Sequence, residues 1–410
     1  MINISHNFLI HFIFRKIKSC VKTWKKLIAR FRYWESQLPV ISQPLEESSE
    51  GYKVTHISAF TYANMGDCVL PICLRKLFAD NIGIKKWHSG DVTKVVDNLD
   101  VKLMNRDDFI VLGGGGLLVK PRYPENSIEN TLSGWLWFCD EKHLREIKKP
   151  IIMFAVGYNR FRGEEEFDQI FTKNINEFVS KSDFVGLRNH GSIEKVRGYL
   201  QTQELKDKLC FQPCMTTLIS KLYPNFVDYN NKENFIAINC AYDRETLRAD
   251  NLKRYAAIAK VAKNLSEKAK IKVYLHKDSD RQISKDLEQF NVEYEIVGFN
   301  TAEEVVRDYS RARLVIGMRG HAQMIPFGCH TPILSIISHD KMQYFLDDIH
   351  HPEWGVEFND DSFEDKLYEK AIYIYDNYKD VMREIEKEQE ILWNITMQNM
   401  QTIKRIISKS

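Results

Sequence analysis

Nowhere in the 410 residues is there an apolar run long enough to cross a bilayer. The eight cysteines, at 20, 68, 73, 139, 210, 214, 240 and 329, are scattered. Cys210 and Cys214 stand four apart, but no second pair or histidine follows at zinc-site spacing. They read as reduced thiols of a cytoplasmic protein, and no metal-ligand spacing is visible elsewhere. No Gly-Lys-Ser/Thr closes a phosphate loop, and no GxGxxG opens a helix. Internal repeats and extended low-complexity segments are also missing. These absences set aside an integral membrane protein, a zinc protein and a P-loop protein.

The net charge is only +2, but it is unevenly spread. Residues 1–36 hold eight Lys and Arg against Glu35 alone, a net +7, which leaves −5 for the rest. A mildly acidic body excludes a nucleic-acid-binding protein. The leader "NFLIHFIFRKIKSCVKTWKKLIARFRYW" mixes large apolar residues with Lys and Arg. Its apolar stretch 8–14 is short, its charge follows rather than precedes it, and no cleavage site of small residues appears, so it is not a secretory signal. As a helix, residues 8–34 suit an anionic membrane surface, with apolar groups inserted and basic groups at the headgroups. The same helix would also suit packing on the protein's own body.

Polar residues 43–50 form a linker, so 1–50 reads as an extension. From residue 53, strand-length apolar runs rich in Val, Ile and Phe alternate with amphipathic runs. The spacing predicts strands at 54–60, 108–113, 150–156 and 184–188, with helices at 67–80, 164–181 and 192–201. The polar stretch "YPNFVDYNNKEN" (223–234) marks a boundary. A second series follows, with strands at 235–241, 271–276, 294–298, 314–318 and 332–338 and helices between them. Such alternation means right-handed crossovers and parallel sheets. The expectation is two doubly wound Rossmann-like domains facing a cleft, at 51–222 and 235–360. A helical segment at 361–410 would pack across both.

Ligands of open parallel sheets sit beyond the carboxyl ends of the strands, which directs attention to those ends. After "VTHISAF", the residues Asn64, Gly66 and Asp67 make a turn into a helix. Asp67 suits a helix cap, and the turn's N–H groups suit an anion or a sugar hydroxyl. "DFIVLGGGG" ends in Gly113, Gly114, Gly115 and Gly116, which let backbone approach a ligand closely or simply exit a strand tightly. "PIIMFAVG" leads to Tyr158 and Asn159. Arg188 ends a buried strand and needs a partner, either a protein carboxylate or an anionic ligand. In "LVIGMRGHAQMIPFG", Arg319 leaves the strand, Gly320 turns and His321 begins a helix. Arginine grips carboxylate or phosphate with two parallel bonds, histidine carries protons near neutral pH, and a helix N-terminus favours an anion. Lys341 begins a further helix near the cleft. Trp135, Trp137 and Tyr158 suit either sugar stacking or the core.

With "NMGDCVL", "DDFIVLGGGGLL", "PIIMFAVGYN", "FVGLRNHGS" and "VIGMRGHAQMIPFGCHTPILSIISHDK" in this order, residues 54–349 resemble the polysaccharide pyruvyl transferases. The family often has Leu where this chain has Gly320. The resemblance implies a fold like the two-domain GT-B glycosyltransferases. It implies phosphoenolpyruvate as donor, no cofactor or metal, and a sugar product carrying pyruvate as a cyclic ketal. It makes Arg188, Arg319 and His321 donor-site residues, with His321 as acid/base and Lys341 adding charge. Asn64, Gly66, Asp67, Gly114–Gly116, Tyr158 and Asn159 would face the acceptor or the donor phosphate. The acceptor is a sugar of a surface polysaccharide or of its lipid-linked precursor. A nucleotide-sugar glycosyltransferase shares the architecture, but "GCHTPILSIISHDK" offers no acidic ribose clamp before Asp340. A non-catalytic family member in polysaccharide assembly is the third reading.

Overall fold

The computed structural model describes Val21 and residues 49–409, apart from 61–63, 125 and 243–248. The basic leader expected to meet a membrane lies, Val21 excepted, outside the described residues.

Two six-stranded sheets, both wholly parallel, organise the chain. The first comprises β1 (Tyr52–Ser58), β2 (Ile84–Asp91), β3 (Phe109–Leu118), β4 (Ile151–Tyr158), β5 (Phe184–Leu187) and β6 (Leu209–Phe211). Its order is β2-β1-β3-β4-β5-β6. The second comprises β7 (Phe235–Asn239), β8 (Lys270–Leu275), β9 (Tyr294–Gly298), β10 (Leu314–Gly317), β11 (Ile333–Ile337) and β12 (Gly355–Glu357). Its order is β12-β11-β10-β7-β8-β9, the dinucleotide-fold order read from the far edge. Helices cover both faces, so central strands are buried throughout: every residue of β4, β7, β10 and β11 is buried. These are two Rossmann-like domains, and the GT-B-like arrangement is present.

The strands that pattern reading missed are at sheet edges. In β2, "IKKWHSGD", only Ile84, Trp87 and Ser89 are fully buried, so no apolar run betrays it. β6 and β12 have three residues each. β3 departs in the other direction. It does not stop at Gly113 but runs through the glycines to Leu118, with φ of +86° at Gly114 and +89° at Gly115 and a register shift against β4. The helix expected from 164 begins at Gln169, where Asp168 caps the N–H groups of Ile170 and Phe171.

The last two helices, Phe363–Asp376 and Tyr378–Ile407, bind the halves together. The first lies on the Ala249–Leu265 helix of the second domain. The second crosses back to the Met65–Ile82 helix and the Met215–Leu218 turn. Within this seam Gln389 is wholly buried. Its Nε2 donates to Phe327 O (2.7 Å) and Thr217 O (3.1 Å), and its Oε1 accepts from Ser220 Oγ (2.9 Å). Gln389→Ala removes three buried hydrogen bonds across the seam. It should lower stability by about 2–4 kcal/mol, read as an earlier urea midpoint.

Candidate active site

The carboxyl ends of both sheets open onto one cavity of about 280 Å³ between the domains. The ends of eight strands, β1, β3, β4, β5, β7, β8, β10 and β11, deliver its parts. After β1, Asn64 caps the Met65–Ile82 helix, its side chain accepting from Gly66 N at 3.1 Å. Asp67, in the first turn of that helix, lines the cavity. Gly66 itself stands behind the cavity: a Cβ there would lie 2.2 Å from His321 Nδ1, so the ring rests flat on bare backbone.

Gly115 and Gly116 of β3 line the cavity, but Gly114 does not. A Cβ on Gly114 would overlap Leu70 Cδ2 at 1.6 Å, so this glycine serves the packing of the Met65–Ile82 helix on the sheet. β4 carries a bulge, with Ala155 at φ +54° and a register shift between Met153 and Val156 against β5. Beyond it Asn159 enters the cavity, and Tyr158 turns away into the core. The Tyr158 ring is 3% exposed and its hydroxyl meets Glu166 (3.2 Å) and Tyr199 (3.3 Å). Trp135 and Trp137 are also core. Both pack edge-on against Phe178, and the Trp135 indole donates to Asn174 Oδ1 (2.8 Å). None of these three rings is offered to a sugar.

Arg188, one residue past β5, crosses Gly157 so closely that a Cβ there would lie 2.1 Å from its Nε. It is 7% exposed, and its Nε has no hydrogen-bond partner. Among the described residues no carboxylate forms an ion pair with it. Of the two partners open to a buried strand-end arginine, the protein carboxylate is therefore not the one present. An uncompensated buried charge is costly. Burial holds the Arg188 pKa below its ordinary value, although a guanidinium stays charged.

Arg319, past β10, is held differently. Its Nε contacts both oxygens of Asp280 (3.1 and 3.0 Å), and Nη2 also bonds this carboxylate. Asp280 is fully buried and accepts further from His276 N, Lys277 N and Asn239 Nδ2. Arg319 still lines the cavity, fixed in direction by this clamp. His321 begins the next helix, with Gly320 as its cap residue. Its Nε2 lies 3.9 Å from Cys214 Sγ. Burial, then the charges of Arg188, His276 and Lys341, push its pKa well below 6.5, so the ring is neutral in the empty cavity. Past β11, His339 caps a helix by accepting from Lys341 N (3.1 Å), and Lys341 Nζ reaches across to Asn159 Oδ1 (2.9 Å).

Several lining residues escaped the sequence reading, Lys277 and Phe161 among them. Lys277 follows β8, and Phe161 sits in the loop after β4, edge-on to His339 at 4.2 Å. The strand-end rule pointed equally to "LHKDSD", which reads as an ordinary polar loop. Four cations thus line the cavity: Arg188, Lys277, Arg319 and Lys341. One of them is neutralised by Asp280. Asp67 faces them as a weakened acid. Removal from water raises its pKa to about 6, against the opposing pull of Lys277, Lys341, Arg188 and Arg319. Among the described residues no group of three His, Cys, Asp or Glu is placed to hold a metal ion, and no helix is long and apolar enough to cross a membrane.

Several solved structures align with this one at low identity. The UDP-GlcNAc 2-epimerase of Neisseria meningitidis bound to UDP-GlcNAc is 10% identical, with 84% of this chain and 100% of that chain covered and a TM-score of 0.45. S. aureus MnaA with UDP is 12% identical over 82% and 90%, with a TM-score of 0.49. The UDP-GlcNAc 2-epimerase of Methanocaldococcus jannaschii is 11% identical over 78% and 92%, with a TM-score of 0.46. No curated protein matches the sequence. The profile of the polysaccharide pyruvyl transferases matches residues 4–340, most of the chain and every strand end that builds the cavity except the start of the Asp340–Asp348 helix beyond its first residue. The chain belongs to the polysaccharide pyruvyl transferase family, enzymes that transfer a pyruvyl group to a polysaccharide acceptor.

Proposed function

We propose that the pyruvyl donor is phosphoenolpyruvate and that it binds in this interdomain cavity. The observation that carries the reading is Arg188, a buried guanidinium aimed at the cavity with no carboxylate to pair it. Phosphoenolpyruvate brings a carboxylate and a phosphate, three negative charges when fully ionised. Four cations against Asp67 give the described lining an excess of positive charge that favours such an anion. Arg188 and Arg319 grip the two anionic groups with the enol between them.

Ketal formation then needs proton traffic in two directions. A sugar hydroxyl adds to the central enol carbon and loses its proton, and the methylene carbon gains one. A neutral His321 is fitted to take the hydroxyl proton. Asp67, protonated over much of the range near pH 6, is fitted to supply the methylene proton. The second hydroxyl then bonds to the same carbon, whose bond to the phosphate oxygen breaks, and its proton leaves with the phosphate as the ring closes. The leaving phosphate is stabilised by the fixed cations. The acceptor is a sugar with two such hydroxyls, in a surface polysaccharide or its lipid-linked precursor. A lipid-linked acceptor accords with the basic, aromatic-rich leader and an inner-leaflet location.

Melting curves test the donor. Phosphoenolpyruvate at 100 times its dissociation constant should stabilise the protein by about 2.7 kcal/mol. Uridine or guanosine diphosphate should give no comparable shift. A shift with a nucleotide and none with phosphoenolpyruvate would instead favour a nucleotide-sugar transferase.

A further inference from the structure

We infer that Lys277 holds the donor's carboxylate, while Lys341 and Arg188 hold its phosphate at the other end of the cavity. This rests on the donor reading above and adds an orientation to it.

In the second sheet the neighbours run β11, β10, β7, β8. Their ends carry Lys341, then Arg319 and His321, then Ala241, then Lys277, and all line the cavity. Adjacent strands are about 4.8 Å apart, so the β11 and β8 ends are separated by roughly 14 Å. The two lysines therefore approach a small ligand from opposite flanks. Contacts across the cleft fix which part of the first domain each flank meets. The β8 end meets the β1 turn, since Met65 N donates to His276 O at 3.3 Å. The β11 end meets the β4 end through Lys341 Nζ and Asn159 Oδ1 at 2.9 Å. Arg188 lies over Gly157, two residues before Asn159, and so belongs to the Lys341 flank.

One flank thus holds Lys341, Arg188 and the N-terminus of the nine-residue Asp340–Asp348 helix. The other holds Lys277 and Asp67. The phosphate, with more charge, belongs with the two cations and the helix terminus. The carboxylate then falls to Lys277, together with Arg319 from the strand end between the two flanks. The reverse orientation would set a dianionic phosphate against Asp67.

The test compares wild type, Lys277→Met and Lys277→Arg by calorimetry. Phosphoenolpyruvate is titrated directly, and inorganic phosphate is measured by competition. Lys277→Met should bind phosphoenolpyruvate at least about tenfold more weakly, the worth of one charge-assisted bond. Its phosphate affinity should stay within about twofold of wild type, and Lys277→Arg should recover most of the loss. Unchanged phosphoenolpyruvate binding in Lys277→Met would overturn the inference. A parallel loss of phosphate affinity would overturn it too, by putting Lys277 on the phosphate. If wild type binds phosphoenolpyruvate not at all, the donor reading itself fails. Matching melting temperatures of the ligand-free proteins exclude a folding effect.

Discussion

Replacing Arg188 with methionine should abolish donor binding and, at the same time, raise the melting temperature of the ligand-free protein. The two effects share one cause. The guanidinium is buried over Gly157, its Nε lacks a partner, and among the described residues no carboxylate forms an ion pair with it. An apolar side chain of similar length removes that desolvation cost and keeps the volume. Exchanges of buried charge for packed apolar groups have stabilised proteins by about 1–4 kcal/mol. Binding should fall by at least about 100-fold, because a paired and desolvated charge contributes several kcal/mol. The neighbouring arginine predicts the opposite sign for stability. Arg319 neutralises Asp280, which has no exposure at all, so Arg319→Met strands a buried carboxylate and should cost about 3–5 kcal/mol. An Arg188→Met protein that melts lower and still binds phosphoenolpyruvate would make this residue a piece of scaffold.

Asp67→Asn should bind the donor more tightly and yet fail to turn over. Among the described residues that line the cavity Asp67 is the one acidic group, and its removal relieves repulsion of an incoming anion. A gain of roughly three- to tenfold in affinity above pH 7 is expected for one such charge at an effective dielectric near 20. Pyruvylation should fall by about 10²–10⁴-fold, the usual worth of a positioned acid or base. It can be read as acid-released pyruvate in the polysaccharide of cells carrying either gene. The pH dependence has a definite sign. The folded pKa of about 6 lies above the ordinary carboxyl value, so the bound anion favours the protonated form. Wild type should match the variant below pH 6 and fall behind it as pH rises through 6, and the ratio of the two affinities cancels the donor's own ionisation. Stability follows the same direction. The folded state binds the proton more tightly than the unfolded chain, so wild type loses stability relative to Asp67→Asn as pH rises from about 4 to 6. Weaker binding by the variant would give Asp67 a contact role instead.

Much of the cavity was legible in the sequence because central parallel strands are continuous apolar runs. The residue that breaks such a run is placed at the carboxyl edge of the sheet. Arg188 after "FVGL" and Arg319 after "LVIGM" were found in this way, as were Asn64, Asp67, Asn159, His321 and Lys341. Lys277 was not, although β8 ends just before it, because a lysine in "HKDSD" looks like any solvated loop residue. What places it in the cavity is the docking of His276 on Met65, a contact between domains that no local pattern encodes. The glycine run was legible as a special backbone and not in its division of labour, since Gly114 answers to Leu70 and only Gly115 and Gly116 face the cavity. The tryptophans were ambiguous for a related reason. A pair of indoles two apart suits a sugar platform or a core, and only the packing of Phe178 between them decides. The pairing of Arg319 with Asp280, 39 residues away, was beyond sequence reading, and it separates the two arginines into one clamped and one waiting.

The central claim is that the cavity is built to receive an anion that Arg188 lacks within the protein. Calorimetric titration of phosphoenolpyruvate into wild type and Arg188→Met, at pH 7.5 and constant salt, tests it most directly. Saturable one-site binding in wild type and none in the variant is the predicted result. Equal binding by both proteins, or no heat with phosphoenolpyruvate where uridine diphosphate gives a full isotherm, would contradict it.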